Sequence, residues 1–255
     1  CATNSLNVNQ LGERRFDMAV IDEACQCTEP SCWVPIQFAD KLVLAGDHRQ
    51  LPPTVISQRA ANEGFDVSLL ERLVDKFGDE ITSTLREQYR MHQQIMEFSS
   101  QKFYGNRLEA HESVAEHLLS DLVQVDKTPM TSTPVDFIDT AGADWDEQAE
   151  KGSESRCNQA EAELVLKKIN ALLAAKVSPG AIGVITPYAG QARLIRSLCE
   201  TAGVEVDTVD GFQGREKEVI IISCVRSNRH GEIGFLADTR RMNVALTRAK
   251  RKLIV

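Results

Sequence analysis

Two neighbouring carboxylates, Asp22 and Glu23, follow an apolar run at residues 18–21. The run is typical of a buried strand, and ligands bind at the carboxyl ends of strands in α/β sheets. One carboxylate there can hold Mg²⁺ directly or through water, and its neighbour can orient and deprotonate a water that attacks a terminal phosphate. An acidic pair is also a common end to a strand, so the pair alone leaves both interpretations open.

A second polar loop, residues 46–53, follows the apolar run at residues 42–45. Gln50 in this loop has both a donor and an acceptor, so it can contact a phosphate oxygen and a water molecule together. Gly46 and the pair Pro52 and Pro53 also suit an ordinary turn. His48 is expected to be a loop contact rather than a catalyst.

Short apolar runs alternate with helical patterns along the chain. The expected strands are residues 18–21, 42–45, 135–138, 182–185, 219–222 and 253–255. Unbroken apolar runs suit parallel strands buried on both faces, with helices as crossovers. Helical spacing predicts helices near residues 162–173 and 194–202, the second capped by Gly203. The pattern predicts an α/β fold with mostly parallel sheets.

The order of strand, polar loop and helix occurs early in the chain and again in its second half. This repetition predicts two α/β lobes rather than one. We place the first lobe at residues 1–86 and the second at residues 87–255.

Composition describes a globular protein, with 42% hydrophobic and 26% charged residues among 255. No apolar run is long enough to span a membrane, so no membrane contact is expected. The seven cysteines lack the dense spacing of a secreted scaffold, which favours reduced thiols and an intracellular location. Cys25, Cys27 and Cys32 suggest zinc, but their spacing is tight and no nearby fourth cysteine completes a site.

The formal net charge of −8 argues against a surface coated in positive potential. Any polyanion must therefore be held in a local groove. The one basic concentration is the tail at residues 240–252.

Five segments resemble, in order, motifs II, III, IV, V and VI of superfamily 1 helicases: residues 22–23, 46–53, 88–92, 208–216 and 243–249. The fourth segment reads Thr-Val-Asp-Gly-Phe-Gln-Gly-Arg-Glu and the fifth Asn-Val-Ala-Leu-Thr-Arg-Ala. Residues 31–33, 68–73 and 225–228 carry a closer likeness to the branch of the nonsense-mediated-decay helicase, and within it to the immunoglobulin mu-binding protein type. The similarity covers nearly the whole chain.

The resemblance implies two RecA-like lobes of the P-loop NTPase fold that use ATP and Mg²⁺. By motif, Asp22 binds Mg²⁺, Glu23 activates water and Gln50 senses the γ-phosphate. Arg90 and Arg248 resemble the two arginines presented to the triphosphate, a role that needs a permanent forked cation. Gly214 and Glu216 resemble residues on the nucleotide side, although a glycine there also suits a tight turn.

The resemblance also implies an ATP-dependent helicase or translocase that binds single-stranded DNA or RNA as a monomer and moves 5′ to 3′. The strand contacts that it implies are Pro52, Pro53, Thr186, Pro187, Tyr188 and Thr208. Hydroxyls and backbone amides in such loops suit phosphates. Tyr188 would either stack on a base or pack inside the fold.

The chain departs from the helicase pattern in one respect. It contains no Gly-Lys-Ser or Gly-Lys-Thr sequence, which helicases use to cradle phosphates. Residues 1–3 resemble the end of a strand and residues 253–255 lie in mid-strand, so we expect a fragment with an incomplete first lobe. Such a fragment should be inactive alone.

Two rival hypotheses accompany the helicase interpretation. The first is a nuclease-linked or remodelling ATPase that moves along a strand without processive unwinding. The second is a nucleotide-dead module that only clamps nucleic acid, although such a module would not need all five of Asp22, Glu23, Gln50, Arg90 and Arg248. The resemblance is compatible with the nucleus and with the cytoplasm.

Overall fold

The structure, a computed structural model, describes residues 11–150, 152–153 and 155–255. The strand end expected at residues 1–3 lies outside this part of the chain. The described residues form two compact units, one within Cys1–Thr84 and the other spanning Leu85–Val255. Among the described residues, no helix is both long and apolar enough to cross a membrane.

The first unit contains a parallel pair of short strands, β1 (Ala19–Ile21) and β2 (Leu42–Leu44). Helix α1 (Glu29–Ile36) connects them, with a proline in its first turn. A helical turn at Gln58–Ala60 and a π-helical turn at Ala61–Phe65 lead to α2 (Leu69–Phe77). The core of the unit is small and is formed by Ile21, Ala24, Cys32 and Leu69 with their partly buried neighbours.

One expectation for β1 and β2 is wrong. Their unbroken apolar sequence predicted burial on both faces, yet Val20 is 64% exposed and Val43 is 43% exposed. Side chains alternate between the two faces of a strand, so Ile21 packs against α1 and α2 while Val20 points to the opposite face. Within the described residues, the helices cover one face of this sheet only.

The second unit is built on a five-stranded sheet. Its strands are β5 (Val135–Asp136), β8 (Ile182–Thr186), β9 (Glu205–Thr208), β10 (Lys217–Ile222) and β11 (Ala249–Ile254). They lie in the order β5-β11-β10-β8-β9, and every neighbouring pair is parallel. All five residues of β8 and the last four of β10 are buried. This sheet confirms the predicted α/β class with mostly parallel strands.

Helices and short strands complete the second unit. The helices are α3 (Gln93–Phe103), α4 (Glu112–Ala115), α5 (Gln159–Ala174), α6 (Ala189–Leu198) and α7 (Thr239–Leu246). The short strands are β3 (Glu87–Gln88), parallel to β4 (Glu109–Ala110), and β6 (Gln148–Ala149), antiparallel to β7 (Arg156–Cys157). Apolar residues of α5 and α6 pack on β8, β9 and β10 to form the main core.

The apolar pattern predicts the body of α5 correctly but not the end of α6. Helix α5 covers the predicted residues 162–173, and Asn158 caps its first turn by accepting a hydrogen bond from the Glu161 amide at 3.1 Å. Helix α6 ends at Leu198, so the expectation that Gly203 caps it is wrong. Gly203 instead lies in the turn before β9 with φ of 100°, a conformation that favours glycine.

Candidate functional site

Asp22 and Glu23 lie directly after β1 and both are exposed. The Asp22 carboxylate accepts a hydrogen bond from the Glu23 amide at 2.9 Å. Glu23 has φ of 51°, which is uncommon for a residue other than glycine. Strained backbone residues cluster at active sites, and this one lies in an exposed acidic pair at the end of a strand.

The loop after β2 lies against the loop after β1. The Ala24 amide donates to the Ala45 carbonyl at 2.8 Å. A Cβ on Gly46 would lie 3.1 Å from the amide nitrogens of Ala24 and Cys25, so a larger residue would push the two loops apart. Gln50 donates to the Asp47 carboxylate at 2.8 Å. The structure therefore brings the segments that contain Asp22, Glu23 and Gln50 to the same edge of the β1-β2 sheet.

Pro52 and Pro53 follow the same loop. Pro52 is half-buried and Pro53 is buried. Of these two predicted strand contacts, only Pro52 offers a partly accessible side chain.

In the second unit, three motifs far apart in sequence meet at one edge of the sheet. Arg90 forms an ion pair with Glu216, and its Nη1 donates to the Thr247 carbonyl at 3.1 Å. Lys250 Nζ lies 2.9 Å from the other oxygen of Glu216. Because Glu216 immediately precedes β10 and Arg248 immediately precedes β11, this group lies at the amino-terminal ends of the two strands. We call this region the amino edge.

Glu216 organises the amino edge electrostatically. Its partial burial alone would raise the pKa of its carboxyl, but Lys250 and Arg90 together hold that pKa below its ordinary value. The carboxylate is therefore charged at neutral pH. It holds the Arg90 guanidinium beside Thr247, the residue that precedes Arg248.

Arg248 itself is buried, with 5% of its surface exposed. Its Nε donates to the Val244 carbonyl at 3.1 Å and its Nη2 donates to the Thr247 hydroxyl at 3.2 Å. These bonds fold the side chain back along α7. The structure thus brings the backbones of Arg90 and Arg248 together while it holds the Arg248 guanidinium against its own helix.

The remaining predicted contacts lie at the opposite edge of the same sheet. Thr186 ends β8, Thr208 ends β9, and the two residues are paired in register. We call this region, formed by the loops after β8, β9 and β10, the carboxyl edge. Thr186 and Tyr188 are buried, whereas Pro187 and Thr208 are half-buried. The Thr208 hydroxyl accepts from the Gly211 amide at 3.3 Å, which leaves its own proton available to a ligand.

The loop between β9 and β10 joins the two edges, because it runs from Thr208 to Glu216. Phe212 anchors it and is fully buried. A Cβ on Gly183 of β8 would come within 2.7 Å of the Phe212 ring, so this glycine makes room for the anchor. Gly214 has φ of 76° and open space around it, which means that backbone conformation rather than close packing requires glycine there.

Comparison with known families assigns both parts of the chain. A family model described as an AAA domain matches residues 65–255, and a second model with the same description matches residues 1–58. The chain belongs to the AAA domain family.

Curated relatives of this AAA domain protein include proteins named as a helicase, as a DNA-binding protein and as a regulator of nonsense transcripts. DNA-binding protein SMUBP-2 of Mesocricetus auratus is 51% identical over 96% of this chain and 25% of its own length. DNA polymerase alpha-associated DNA helicase A of Schizosaccharomyces pombe is 44% identical over 100% of this chain and 39% of its own length. The regulator of nonsense transcripts 1 homolog of Neurospora crassa is 42% identical over 96% of this chain and 23% of its own length.

These relatives confirm the predicted membership in the superfamily 1 helicases of the nonsense-mediated-decay branch, and with it the RecA-like class of fold. The chain spans less than two-fifths of the length of each relative. Among solved structures, one of the PRRSV helicase matches with a TM-score of 0.44 and 18% identity, over 92% of this chain and 34% of that one.

The basic tail of this AAA domain protein is not an open cationic surface. Each of its cations lies within ion-pair distance of a carboxylate or is buried in the fold. Arg240 and Arg241 pair with Asp238, Lys250 with Glu216 and Glu218, Arg251 with Glu218, and Lys252 with Asp136. Lys252 is fully buried, and burial lowers the pKa of its ammonium despite the nearby Asp136.

Sequence reasoning missed a polar network behind the carboxyl edge. Glu147 accepts from the Ser227 amide at 3.0 Å and lies 2.9 Å from Arg226 Nε. Glu161 accepts from the Val225 amide at 2.9 Å, and burial raises the pKa of its carboxyl. Val225 has φ of 71°, an outlier for a β-branched residue. The sequence signal for this network is the Val-Arg-Ser-Asn segment at residues 225–228, whose likeness to helicases of this branch indicates family but no chemical role.

Proposed function

We propose that this chain is part of an ATP-dependent helicase that translocates 5′ to 3′ along single-stranded DNA or RNA. The observation that carries the proposal is the hydrogen bond and ion pair that join Arg90 to Thr247 and Glu216. Arg90 lies more than a hundred residues before both Glu216 and Thr247, and the three motifs that contain these residues converge there on one charged cluster. The helicase and DNA-binding names of the relatives support the same activity.

Arg90 and Arg248 act on the triphosphate in this proposal. A guanidinium stabilises the charge that develops on a transferring phosphoryl group. Glu216 positions Arg90 and keeps it from pairing elsewhere. Arg248 must exchange its bonds to Val244 and Thr247 for bonds to phosphate, so its contribution depends on a change of side-chain conformation. Gly214 gives the loop the backbone shape that places Glu216.

Asp22 and Glu23 take the metal and water roles. Mg²⁺ is commonly held through one or two carboxylates together with substrate phosphates and waters, and the exposed Asp22 carboxylate at a strand end fits that need. When bound, the metal would neutralise charge on the phosphates. Glu23 orients the attacking water and takes its proton. Gln50, held by Asp47, contacts the γ-phosphate.

The strand is bound at loop edges through Pro52, Pro187 and Thr208, with Pro53, Thr186 and Tyr188 as their supports. Phosphate contacts position a strand without reading its bases, so sequence preference is weak. The protein acts as a monomer, inside the cell, in the nucleus or the cytoplasm. Unwinding 5′-tailed but not 3′-tailed duplexes by the intact protein would support the direction, and the reverse preference would contradict it.

The decisive experiment is Glu23→Gln in the intact protein. The amide keeps the shape of the side chain and removes the base, so nucleotide should bind with unchanged affinity while strand-stimulated hydrolysis stops. Glu97→Gln, at an exposed position on α3, is the control. Normal hydrolysis by Glu23→Gln would remove Glu23 from this role.

The 255 residues alone should not turn over ATP, because they contain no Gly-Lys-Ser or Gly-Lys-Thr cradle. Purified polypeptide of this sequence, assayed with and without single-stranded nucleic acid, tests the point. Strand-stimulated hydrolysis by these residues alone would show that the triphosphate is held without a P-loop.

A further inference from the structure

An open cleft of about 390 Å³ lies at the carboxyl edge of the second unit. Its walls include Arg156, Tyr188, Arg226, Phe235, Asp238 and Arg241. Its volume falls within the range of small-molecule sites. Among these residues the sequence predicts a role in strand binding for Tyr188 only; Arg226 lies in the segment 225–228 and Arg241 in the basic tail.

The cleft lies at the point where the strand order of the sheet reverses. From β8 the chain moves to β9 on one side, and from β10 it moves to β11 on the other. Tyr188 follows β8 and Arg226 follows β10, so the two residues flank the crevice between these neighbouring strands. In open α/β sheets, such a switch point at the carboxyl ends of the strands is where ligands bind.

The walls are aromatic rings and guanidinium groups in contact with one another. The Tyr188 and Phe235 rings meet edge to face with centroids 5.5 Å apart. The Arg241 guanidinium lies 5.3 Å from the centroid of Phe235, and that of Arg226 lies 6.0 Å from the centroid of Tyr188. Planar groups of these two kinds stack well on nucleobases.

The charges in the cleft favour a neutral ligand over a phosphate. Arg226 lies 2.9 Å from Glu147 and 3.2 Å from Glu232, and Arg241 lies 3.5 Å from Asp238. Arg156 is 3.9 Å from Glu147. The three guanidinium groups of the walls are thus already paired with carboxylates, one of which, Asp238, also pairs with Arg240, so a phosphate would have to compete with existing ion pairs. A neutral base would keep every ion pair and could bond to both donors and acceptors along its edge.

The wall that contains Phe235 is fixed in place. The Phe235 amide donates to the Tyr188 hydroxyl at 3.4 Å. Gly234 has φ of 62°, and a Cβ there would lie 2.3 Å from the Tyr188 hydroxyl and 2.4 Å from Arg226 Nη1. Only glycine lets the backbone approach so closely. Phe235 is nevertheless 54% exposed, so its ring is both held and accessible.

We propose that this cleft receives one unstacked base of the bound single strand, which stacks on Phe235. The inference rests on the proposed function, because it specifies how the strand is held at the carboxyl edge. It assigns a base contact where the helicase motifs supply phosphate contacts.

The test compares Phe235→Ala with Phe98→Ala in the intact protein. Phe98 is 53% exposed on α3, so it matches Phe235 in exposure and lies outside the cleft. Binding is measured to a single-stranded oligonucleotide and to a series of the same strand with one abasic position moved along it. Loss of a base stack weakens binding about 5- to 100-fold. We expect this loss when Phe235→Ala binds the intact strand. We expect the same loss when the wild-type protein binds the strand with one particular abasic position. Phe235→Ala should bind that abasic strand no more weakly than it binds the intact strand.

Phe235→Trp should keep the affinity of the wild-type protein and its sensitivity to that abasic position, since an aromatic face remains. Three results would overturn the inference: unchanged binding by Phe235→Ala, equal losses for Phe235→Ala and Phe98→Ala, or additive losses in the combined measurement, which would indicate a backbone or phosphate contact. Failure of the wild-type protein to bind any single strand would overturn the proposed function instead, and the cleft assignment with it.

Discussion

The two edges of the second sheet are made of different chemistry. At the amino edge, Arg90, Glu216 and Lys250 form a charged cluster whose members contact one another directly. At the carboxyl edge, hydroxyls and aromatic rings predominate, and the arginines present are balanced by carboxylates. Strand β10 joins the two edges and its six residues span about 17 Å.

This difference indicates a division of labour. A charged cluster with a fixed guanidinium stabilises charge that develops during a reaction, so it should affect rate. Hydroxyls and stacking surfaces hold a ligand equally before and during reaction, so they should affect affinity. Substitutions at the amino edge should therefore change kcat, and substitutions at the carboxyl edge should change strand binding.

Among substitutions at the two edges, the largest effect is expected for Arg90→Lys and Arg248→Lys in the intact protein. An ammonium cannot reproduce the forked geometry of a guanidinium. Because two arginines share the load, each substitution should lower kcat by about 10²- to 10³-fold, within or below the range for single catalytic arginines. Strand affinity should not change. Arg193→Lys, at an exposed ion pair with Glu150, is the control. Weaker nucleotide affinity with normal kcat would assign these arginines to ground-state binding.

A smaller loss is expected for Glu216→Gln, because Arg90 keeps its charge but loses the partner that orients it. Misplacing a catalytic group can cost up to about 10²-fold, so kcat should fall about 10- to 100-fold. Glu218→Gln is a close control, since Glu218 also contacts Lys250 but pairs with Arg251 rather than Arg90. Equal losses for the two variants would mean that Glu216 acts through Lys250 or through stability alone.

The apolar pattern predicts most strands of the second sheet, but it does not predict which loops and side chains meet at its edges. The apolar runs at residues 182–185 and 219–222 are continuous because β8 and β10 are covered on both faces. Their burial can therefore be predicted from the sequence. Strand β9 lies at the edge of the sheet and contains one apolar residue, Val206, between Glu205 and Asp207, so it has no apolar run that would predict a strand. The pairing of strands that are distant in sequence decides which loops meet. This pairing cannot be predicted from the apolar pattern of a single sequence.

The same limit applies to the functional residues. The roles of Arg90 and Arg248 came from their motifs, and nothing in their spacing of more than a hundred residues foretold the bond between Arg90 and Thr247. The cleft at Phe235 depends on the strand reversal between β8 and β10 and on the close approach of Gly234 to Tyr188. Neither feature has a local sequence signature, so the sequence predicts Tyr188 as a strand contact but does not predict the cleft.

At the carboxyl edge, Thr208→Val in the intact protein should weaken strand binding by about 3- to 10-fold, the net worth of one ordinary hydrogen bond, because water can take the place of the hydroxyl at an exposed phosphate. Valine keeps the shape of the side chain and removes the hydroxyl. ATP turnover at saturating strand should be unchanged. Thr201→Val, in the turn before β9, is the control. A fall in kcat at saturating strand would show that the loop between the edges transmits the change to Glu216.

A weaker effect still is expected from the basic tail. Its cations are already paired, so Arg251→Gln should alter strand affinity by less than about twofold. For single strands, each phosphate neutralised by a cation contributes about 0.7 to the slope of log affinity against log salt, so a strand held mainly by hydroxyls and backbone amides should give a slope no steeper than about −2. A salt titration of wild-type and variant protein measures both quantities. A much steeper slope that Arg251→Gln reduces would make the tail the binding surface.

The smallest expected effect is a loss of stability at low pH that is greater at the amino edge than at the carboxyl edge. The carbonyl of Lys250, at the amino edge, lies 2.8 Å from the His92 amide and 2.9 Å from His117 Nε2. Burial lowers the pKa of both imidazoles, and their mutual repulsion lowers that of His92 further. The unfolded chain therefore takes up protons before the folded one as pH falls below about 6.5, which destabilises the fold over that range.

Above that pH both imidazoles are neutral in the folded and in the unfolded chain, so their contribution to the free energy of unfolding no longer changes with pH. Hydrogen exchange at pH 7.5 and pH 5.5, corrected for the intrinsic rate, should show less protection at pH 5.5 for the amides of residues 248–250 than for those of residues 184–186. His117→Gln should reduce this difference, because it removes one titrating ring and keeps a donor toward the Lys250 carbonyl. Equal loss of protection at both edges would mean that the pH response belongs to the whole sheet, and the division between the edges would not extend to stability.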